Sequence, residues 1–194
     1  HDRRVVRAPG RADYPAVMSE NGLTAARTKM RDAGVAQQAI DVFTHYYTQL
    51  EGGATGLIPE ETIEPLTRID SIDGAAIDED AAREALDRTA LIKLNGGLGT
   101  SMGMDRAKSL LPVRDGRTFL DLLVDQVMAA RRRHGVRLPL IFMDSFRTRA
   151  DTLAALAARP GIEVDGLPLD FLQNREPKLR ADDLSPVEWP ADPE

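Results

Sequence analysis

The sequence predicts an α/β fold built on a mostly parallel sheet and preceded by a helical segment. Three observations carry that expectation. Short apolar runs at 90–94, 138–143 and 167–172 alternate with helical patterns of 11–16 residues, which is how βαβ units read in a sequence. The 194 residues are 42% hydrophobic and 29% charged, the balance of an ordinary globular chain long enough to bury a core. Cys is absent and no apolar run approaches the ~20 residues of a membrane span, so disulfides and a membrane partner are both excluded.

Taken in order, residues 1–19 show no periodicity and read as a flexible arm. A helical pattern runs from Asn21 to Ala33, where Gly34 stops it. Val35, Ala39, Val42, Phe43, Tyr46 and Leu50 recur at spacings of three and four, predicting an amphipathic helix closed by Gly52-Gly53. Residues 54–78, with Pro59, Pro65 and several acids, read as a crossing segment with short turns. Asp78 to Arg88 reads as a short helix with acids in its first turn.

The character changes at Ala90, dividing the chain into a helical segment, 1–89, and the first part of an α/β domain, 90–194. Ala90 to Leu94 is a short apolar strand. Leu110 to Arg114 is a second extended piece, and Asp115-Gly116 is a turn signal. Thr118 caps a long helix that runs to about Arg133. Leu138 to Met143 is the clearest strand in the chain and leads into Asp144-Ser145. Residues 148–158 form an Ala/Leu helix stopped by Pro160-Gly161, and Leu167 to Leu172 is a further strand. Right-handed crossovers would align the strand carboxyl ends along one edge, where ligands of such sheets bind. The tail from Ser185 to Glu194 lacks a terminating signal and reads as a connection to a further segment.

The formal net charge of −6 excludes a nucleic-acid binder working through a basic surface. Residues 1–89 carry 10 basic and 16 acidic groups, whereas 90–194 carry 15 of each, so an anionic ligand is better placed in the second part. Arg131, Arg132, Arg133 and His134 end the long helix, where cations favour the helix dipole, and they read as structural. No basic, apolar, small-residue leader is visible, which predicts a cytoplasmic protein. The chain begins at His1 rather than Met, so the expectation is that its natural start lies upstream. The basic residues divide into 21 Arg and 4 Lys, and Lys93, Lys108 and Lys178 all fall in the second part.

The most informative stretch follows the strand at 90–94. Asn95 to Gly103 holds four Gly in nine residues. Such a turn lets backbone amides approach a ligand without Cβ obstruction, and amides pointing inward form an anion nest. The motif is not a Walker A, because neither Lys-Ser nor Lys-Thr follows the last Gly directly; nor does it complete the dinucleotide fingerprint, because Gly103 comes one residue too late. Lys108 stands five residues past Gly103, a compact point charge suited to phosphate oxygens. Lys93, within the strand, reads as a strand-edge residue reaching solvent.

Leu94-Asn95-Gly96-Gly97-Leu98-Gly99-Thr100-Ser101-Met102-Gly103, followed by Lys108-Ser109-Leu110, resembles the signature of the eukaryotic-type UTP–glucose-1-phosphate uridylyltransferases, or UDP-glucose pyrophosphorylases. Thr118 to Leu122, Met143 to Phe146 with Asp151-Thr152, and Phe171 to Arg175 with Pro177-Lys178 resemble further stretches of the family in the same order. The resemblance covers about residues 20–190 and is specific from Leu91 onward.

The resemblance implies a Rossmann-like nucleotidyltransferase core, mostly parallel with helices on both faces, after the helical N-terminal segment. It implies that Leu94, Asn95, Gly96 and Gly97 hold UTP largely through backbone, with Gly96 and Gly97 also facing the sugar nucleotide. Lys108 would bind the triphosphate near a Mg²⁺ ion and act in catalysis, and Gln173 would read the uracil edge, since an amide offers both donor and acceptor. The partners implied are UTP and glucose 1-phosphate. A homo-oligomer is compatible with the sequence, which does not show one. Two departures stand out: Met104-Asp105-Arg106-Ala107 replaces a stretch with a Lys and a Pro, and Asp144 stands where an Asn is usual. Asp144 reads as a turn or cap residue rather than a metal ligand. The family's Pro-Pro-Gly-His-Gly-Asp segment after a Trp like Trp189, its metal-binding Asp and its second phosphate Lys are not among these residues. The resemblance therefore implies an amino-terminal portion that holds no metal ligand and is inactive by itself. A related UDP-sugar or UDP-N-acetylhexosamine pyrophosphorylase, and a non-catalytic nucleotide-binding module, are the alternatives; Ser101, where those relatives have an Arg-containing loop, favours the glucose enzyme.

Overall fold

The structure, a computed structural model, describes residues 20–188. The arm expected over 1–19 and the end of the tail from Trp189 lie outside the described residues. Packing groups the chain into two units, one ending at Thr67 and completed by the chain from Asn174, the other running from Arg68 to Gln173.

The first unit is built on α1 (Glu20–Asp32) and α2 (Gln37–Glu51). The turn between them is made by Gly34 at φ +72°, with the Val35 amide donating to the Met30 carbonyl. Ala26, Met30, Ile40, Phe43, Tyr47 and Leu184 form its core. This corrects the expected stripe of α2: Phe43 is buried, but Val42 and Tyr46 face solvent, while Ile40 and Tyr47 take the inner positions. Both sets satisfy helical spacing, and the choice is made by a distant partner, because the Tyr47 hydroxyl donates to the Leu184 carbonyl at 3.1 Å. Ser185 and Val187 return along Lys178 and Arg180, with the Val187 amide 2.7 Å from the Lys178 carbonyl.

Residues 54–78 hold one 3₁₀ turn, Glu60–Thr62, and expose Leu57, Ile58, Ile63, Leu66, Ile69, Ile72 and Ile77.

The second unit begins with α3 (Glu79–Asp87), whose Asp78 carboxylate accepts from the Asp80 and Ala81 amides. Three parallel strands follow, β1 (Leu91–Asn95), β4 (Leu140–Asp144) and β5 (Asp170–Leu172), in the spatial order β1-β4-β5. The expected α/β class with a parallel sheet is the observed one. β4 starts at Leu140 rather than Leu138 because Leu138 lies at φ +34°, outside the extended region. The extended piece at 110–114 is not a member of this sheet. It supplies β2 (Pro112–Arg114) of an antiparallel hairpin with β3 (Arg117–Thr118), closed by Asp115 and Gly116 at φ +54° and +72°.

Thr118 then caps α4 (Phe119–His134) through a full capping box with Asp121, each side chain bonding the other's backbone amide. Leu120, Val124 and Val127 of α4 pack on Leu140 and Phe142 of β4, Leu156 of α5 (Arg149–Leu156), and Val136, Leu138 and Ile162. Arg131 is structural, as its position predicts: its guanidinium binds the carbonyls of Leu138, Gly161 and Ile162 at 3.0–3.1 Å.

Candidate functional site

In a parallel sheet the carboxyl ends of neighbouring strands lie side by side. Asn95, Asp144 and Leu172 occupy one register across β1, β4 and β5, so the segments that follow them leave the sheet together. Those segments are the glycine loop, the Ser145–Thr148 turn and Gln173.

The strand ends are locked by buried side chains. Asn95 Nδ2 donates to Asp144 Oδ1 at 2.7 Å and to Thr152 Oγ1 at 2.8 Å, and Thr152 passes its own proton to the Thr148 carbonyl at 2.7 Å. Asp144, Thr148 and Thr152 are fully buried and Asn95 nearly so. Asp144 is therefore no turn or cap residue: Ser145 and Thr148 make that turn, the Ser145 amide donating to Thr148 Oγ1 at 3.0 Å. Burial raises the Asp144 pKa above the ordinary carboxylate range, opposed by the Asn95 hydrogen bond, by the neighbouring Thr152 hydroxyl and by Arg149, and reinforced by the Asp170 charge.

The main chain extends this lock toward the site. The Gln173 amide donates to the Asp144 carbonyl at 2.8 Å, which sets where Gln173 leaves β5. A Cβ on Gly96 would stand 2.3 Å from Gln173 Oε1 and 3.5 Å from Ser145 Cβ, so only glycine allows this approach. Gly97, by contrast, has open space around it.

From Gly97 the loop closes on itself through backbone. The Lys108 amide donates to the Gly97 carbonyl at 2.9 Å, Leu98 bridges Ala107, and the Gly99 amide donates to the Arg106 carbonyl at 3.1 Å. Ala107 is fully buried, while Lys108 itself is exposed and opens a 3₁₀ turn, Lys108–Leu110. A position eleven residues along the chain is thereby returned to the first glycines.

All six expected site residues lie at this edge. Asn95, Gly96 and Gln173 are in contact through the lock and the glycine approach, and Lys108 is seated on Gly97 by main chain. The Leu94 side chain is exposed and its carbonyl accepts from Lys93 Nζ at 2.8 Å. Lys93 is half-buried on β1, at the edge of the sheet, and its ammonium donates at an exposed position to the Leu94 carbonyl, in keeping with a strand-edge residue. The sequence assigns Thr152 no role and Asp144 only that of a turn or cap residue. The available signal was an acid closing the most apolar strand, a position that burial makes costly unless it is satisfied.

Among the described residues no group of three or more His, Asp or Glu could hold a metal. Asp144 Oδ2 is a carboxylate oxygen without a partner, but it is sealed from solvent and Asp170 is engaged by Arg149. Magnesium keeps waters and takes one or two accessible carboxylates beside substrate phosphates, a set these residues do not supply.

A parallel α/β domain with a glycine loop at its strand ends is an architecture shared by nucleotide-binding domains. The family model described as UTP–glucose-1-phosphate uridylyltransferase matches residues 40–194, and the chain belongs to that family. A banana (Musa acuminata) UTP–glucose-1-phosphate uridylyltransferase is 37% identical over 132 residues, which is 67% of this chain and 27% of the relative. The potato (Solanum tuberosum) enzyme of the same name is 40% identical over 115 residues, 58% of this chain and 24% of the relative. A Leishmania major UDP-glucose pyrophosphorylase mutant solved with UDP-glucose superposes with a TM-score of 0.81 at 38% identity, over 90% of this chain and 36% of that one. A Trypanosoma brucei UDP-glucose phosphorylase superposes with a TM-score of 0.77 at 37% identity, over 89% and 37%. The chain thus spans about a quarter of the length of the curated relatives it matches.

Proposed function

We propose that this chain supplies the nucleotide-holding part of an enzyme that makes UDP-glucose and pyrophosphate from UTP and glucose 1-phosphate. The observation that carries the reading is the closed loop that seats Lys108 on Gly97 while Gly96 lies against Gln173. It brings a cation, open backbone and an amide with both donor and acceptor to one strand-end edge, the three chemistries a uridine polyphosphate needs.

In this reading an oxygen of the sugar phosphate attacks the α-phosphorus of UTP. The bond from that phosphorus to the bridging oxygen breaks, and pyrophosphate leaves with the electron pair. No side-chain proton transfer is needed, so the protein contributes position and charge. Gln173 reads the uracil edge, Gly96 and Gly97 leave room for the nucleotide, and Lys108 offsets the charge that grows on the leaving group. The Mg²⁺ that the family resemblance implies would neutralise phosphate charge, held by the family's metal-binding Asp, which is not among these residues. No described helix is long and apolar enough to cross a membrane, and a cytoplasmic setting belongs to the same proposal.

The test is pyrophosphate exchange and UDP-glucose formation by the full-length protein, with glucose 1-phosphate compared against other sugar 1-phosphates. Turnover fastest with glucose 1-phosphate is expected. UTP binding without exchange would replace the reading with a non-catalytic module, and faster turnover with another sugar phosphate would move the assignment to a related pyrophosphorylase.

A further inference from the structure

We propose that Asp144 is a positioning residue of the nucleotide edge, that it works as a neutral carboxylic acid, and that loss of its proton loosens UTP. The inference rests on the reading above, in which Gly96 and Gln173 face the nucleotide.

The geometry leaves an ionised Asp144 poorly solvated. Its side chain is fully buried; Oδ1 accepts from Asn95 Nδ2, the neighbouring Thr152 hydroxyl has its proton on the Thr148 carbonyl, and Oδ2 has no partner. Asn95 has no second proton to give, because the other is spent on Thr152. The charged groups facing this carboxyl are Asp170 on β5, a like charge, and Arg149 on α5, which is paired with Asp170. A buried carboxylate with one neutral hydrogen bond is costly, and such a group ordinarily takes up its proton instead. The raised pKa of Asp144 points the same way, with burial as its first cause.

Asp144 also touches both halves of the edge. Its side chain holds Asn95, the residue before Gly96, and its carbonyl holds the Gln173 amide. Ionisation would draw water or a cation toward Oδ2. The space for that is gained by moving Asn95, Thr152 or the β4 end, and each movement changes the approach of Gly96 to Gln173. That approach is close, since a methyl group on Gly96 would meet Gln173 Oε1 at 2.3 Å, so a shift of the strand end repositions the Gln173 amide.

The experiment is UTP titration by calorimetry on the full-length protein, from weakly acidic to weakly alkaline pH, for the parent and for Asp144→Asn. The Asn amide copies the neutral acid: a carbonyl for Asn95 Nδ2 and a donor where the acid proton sits. Comparing the two proteins cancels titration of the UTP phosphates. Equal affinity is expected at the acidic end, with the parent about tenfold weaker than Asp144→Asn at the alkaline end. The infrared difference spectrum between the two should also carry, at the acidic end, the carbonyl stretch of an un-ionised carboxylic acid. Superimposable pH profiles, weaker binding by Asp144→Asn throughout, or absence of that band overturns the inference. A parent that shows the band but binds no UTP at any pH overturns the nucleotide reading, and the coupling with it, which is a different result from superimposable profiles.

Discussion

Two neighbouring regions of the second unit are held by opposite means. The strand ends are fixed by buried side chains, Asn95 bonding Asp144 across the sheet and Thr152 on α5, with Asp144 Oδ2 left without a partner. The loop that follows is fixed by main chain alone, Gly97 to Lys108 and Gly99 to Arg106, with Gly97 and Lys108 left exposed. The difference separates two duties. Buried polar locks define where the loop begins, since an unsatisfied group there is costly. A backbone-closed loop keeps its side chains and open glycines available for a ligand.

Substitutions can break that separation or sharpen it. The largest effect is expected at the lock. Asn95→Ala strips the donor from Asp144 and from Thr152 and should destabilise the protein by about 3 kcal/mol, read as a lower denaturant midpoint, with UTP affinity falling as a consequence. Next comes Lys108→Ala, which should weaken UTP by about 2 kcal/mol, the worth of a charge-assisted contact. The denaturant midpoint should not move, and a shift there would give Lys108 a structural duty that the comparison denies it. Gly96→Ala should cost about tenfold in UTP affinity, near 1.4 kcal/mol, with little loss of stability, because the group it meets is the far end of the flexible Gln173 side chain. Unchanged UTP affinity in this variant would remove Gln173 from the nucleotide site.

The smallest effect, and the sharpest in sign, concerns stability against pH. Asp144 has a raised pKa in the fold, so the unfolded chain releases this proton first as pH rises. Its stabilising contribution is complete below the ordinary carboxylate pKa and is lost progressively as pH climbs to the folded value. Asp144→Asn should therefore raise Tm at neutral pH and lose that advantage on acidification. Asp121 runs the other way: hydrogen bonds from the Thr118 amide and hydroxyl lower its pKa, so its contribution is present above the ordinary range and lost as pH falls through the folded value. A Tm advantage of Asp144→Asn that persists unchanged in acid would contradict a protonated Asp144.

Much of this was legible in the sequence where the determining contacts are local. Thr118 announced the start of α4, Asp115-Gly116 announced a turn, and the glycines after Leu94 announced a loop at the sheet's edge. Gln173 was legible only through its resemblance to a family stretch. Partners far along the chain decided what remained hidden. The inner stripe of α2 depends on Leu184, 137 positions from Tyr47. The lock joins Asn95 to residues 49 and 57 positions away, and an isolated Asp after a strand gives no sign that it will be sealed against an Asn. Leu110 to Arg114 looked like any strand, because nothing in five residues states whether the neighbour will be parallel β4 or the antiparallel arm at Arg117–Thr118.

The pairing of Leu91 with Leu140 has a consequence for the order of folding. A loop of this length closes at an entropic cost of about 3 to 4 kcal/mol before any strand contact returns it. The capping box and apolar stripe of α4 are local and form within the helix itself. During synthesis β1 leaves the ribosome before its parallel neighbour exists, and it waits through the whole of α4. The local contacts of α4 are therefore the cheaper ones to form, and the pairing of β1 with β4, which Asn95 closes, is the costlier.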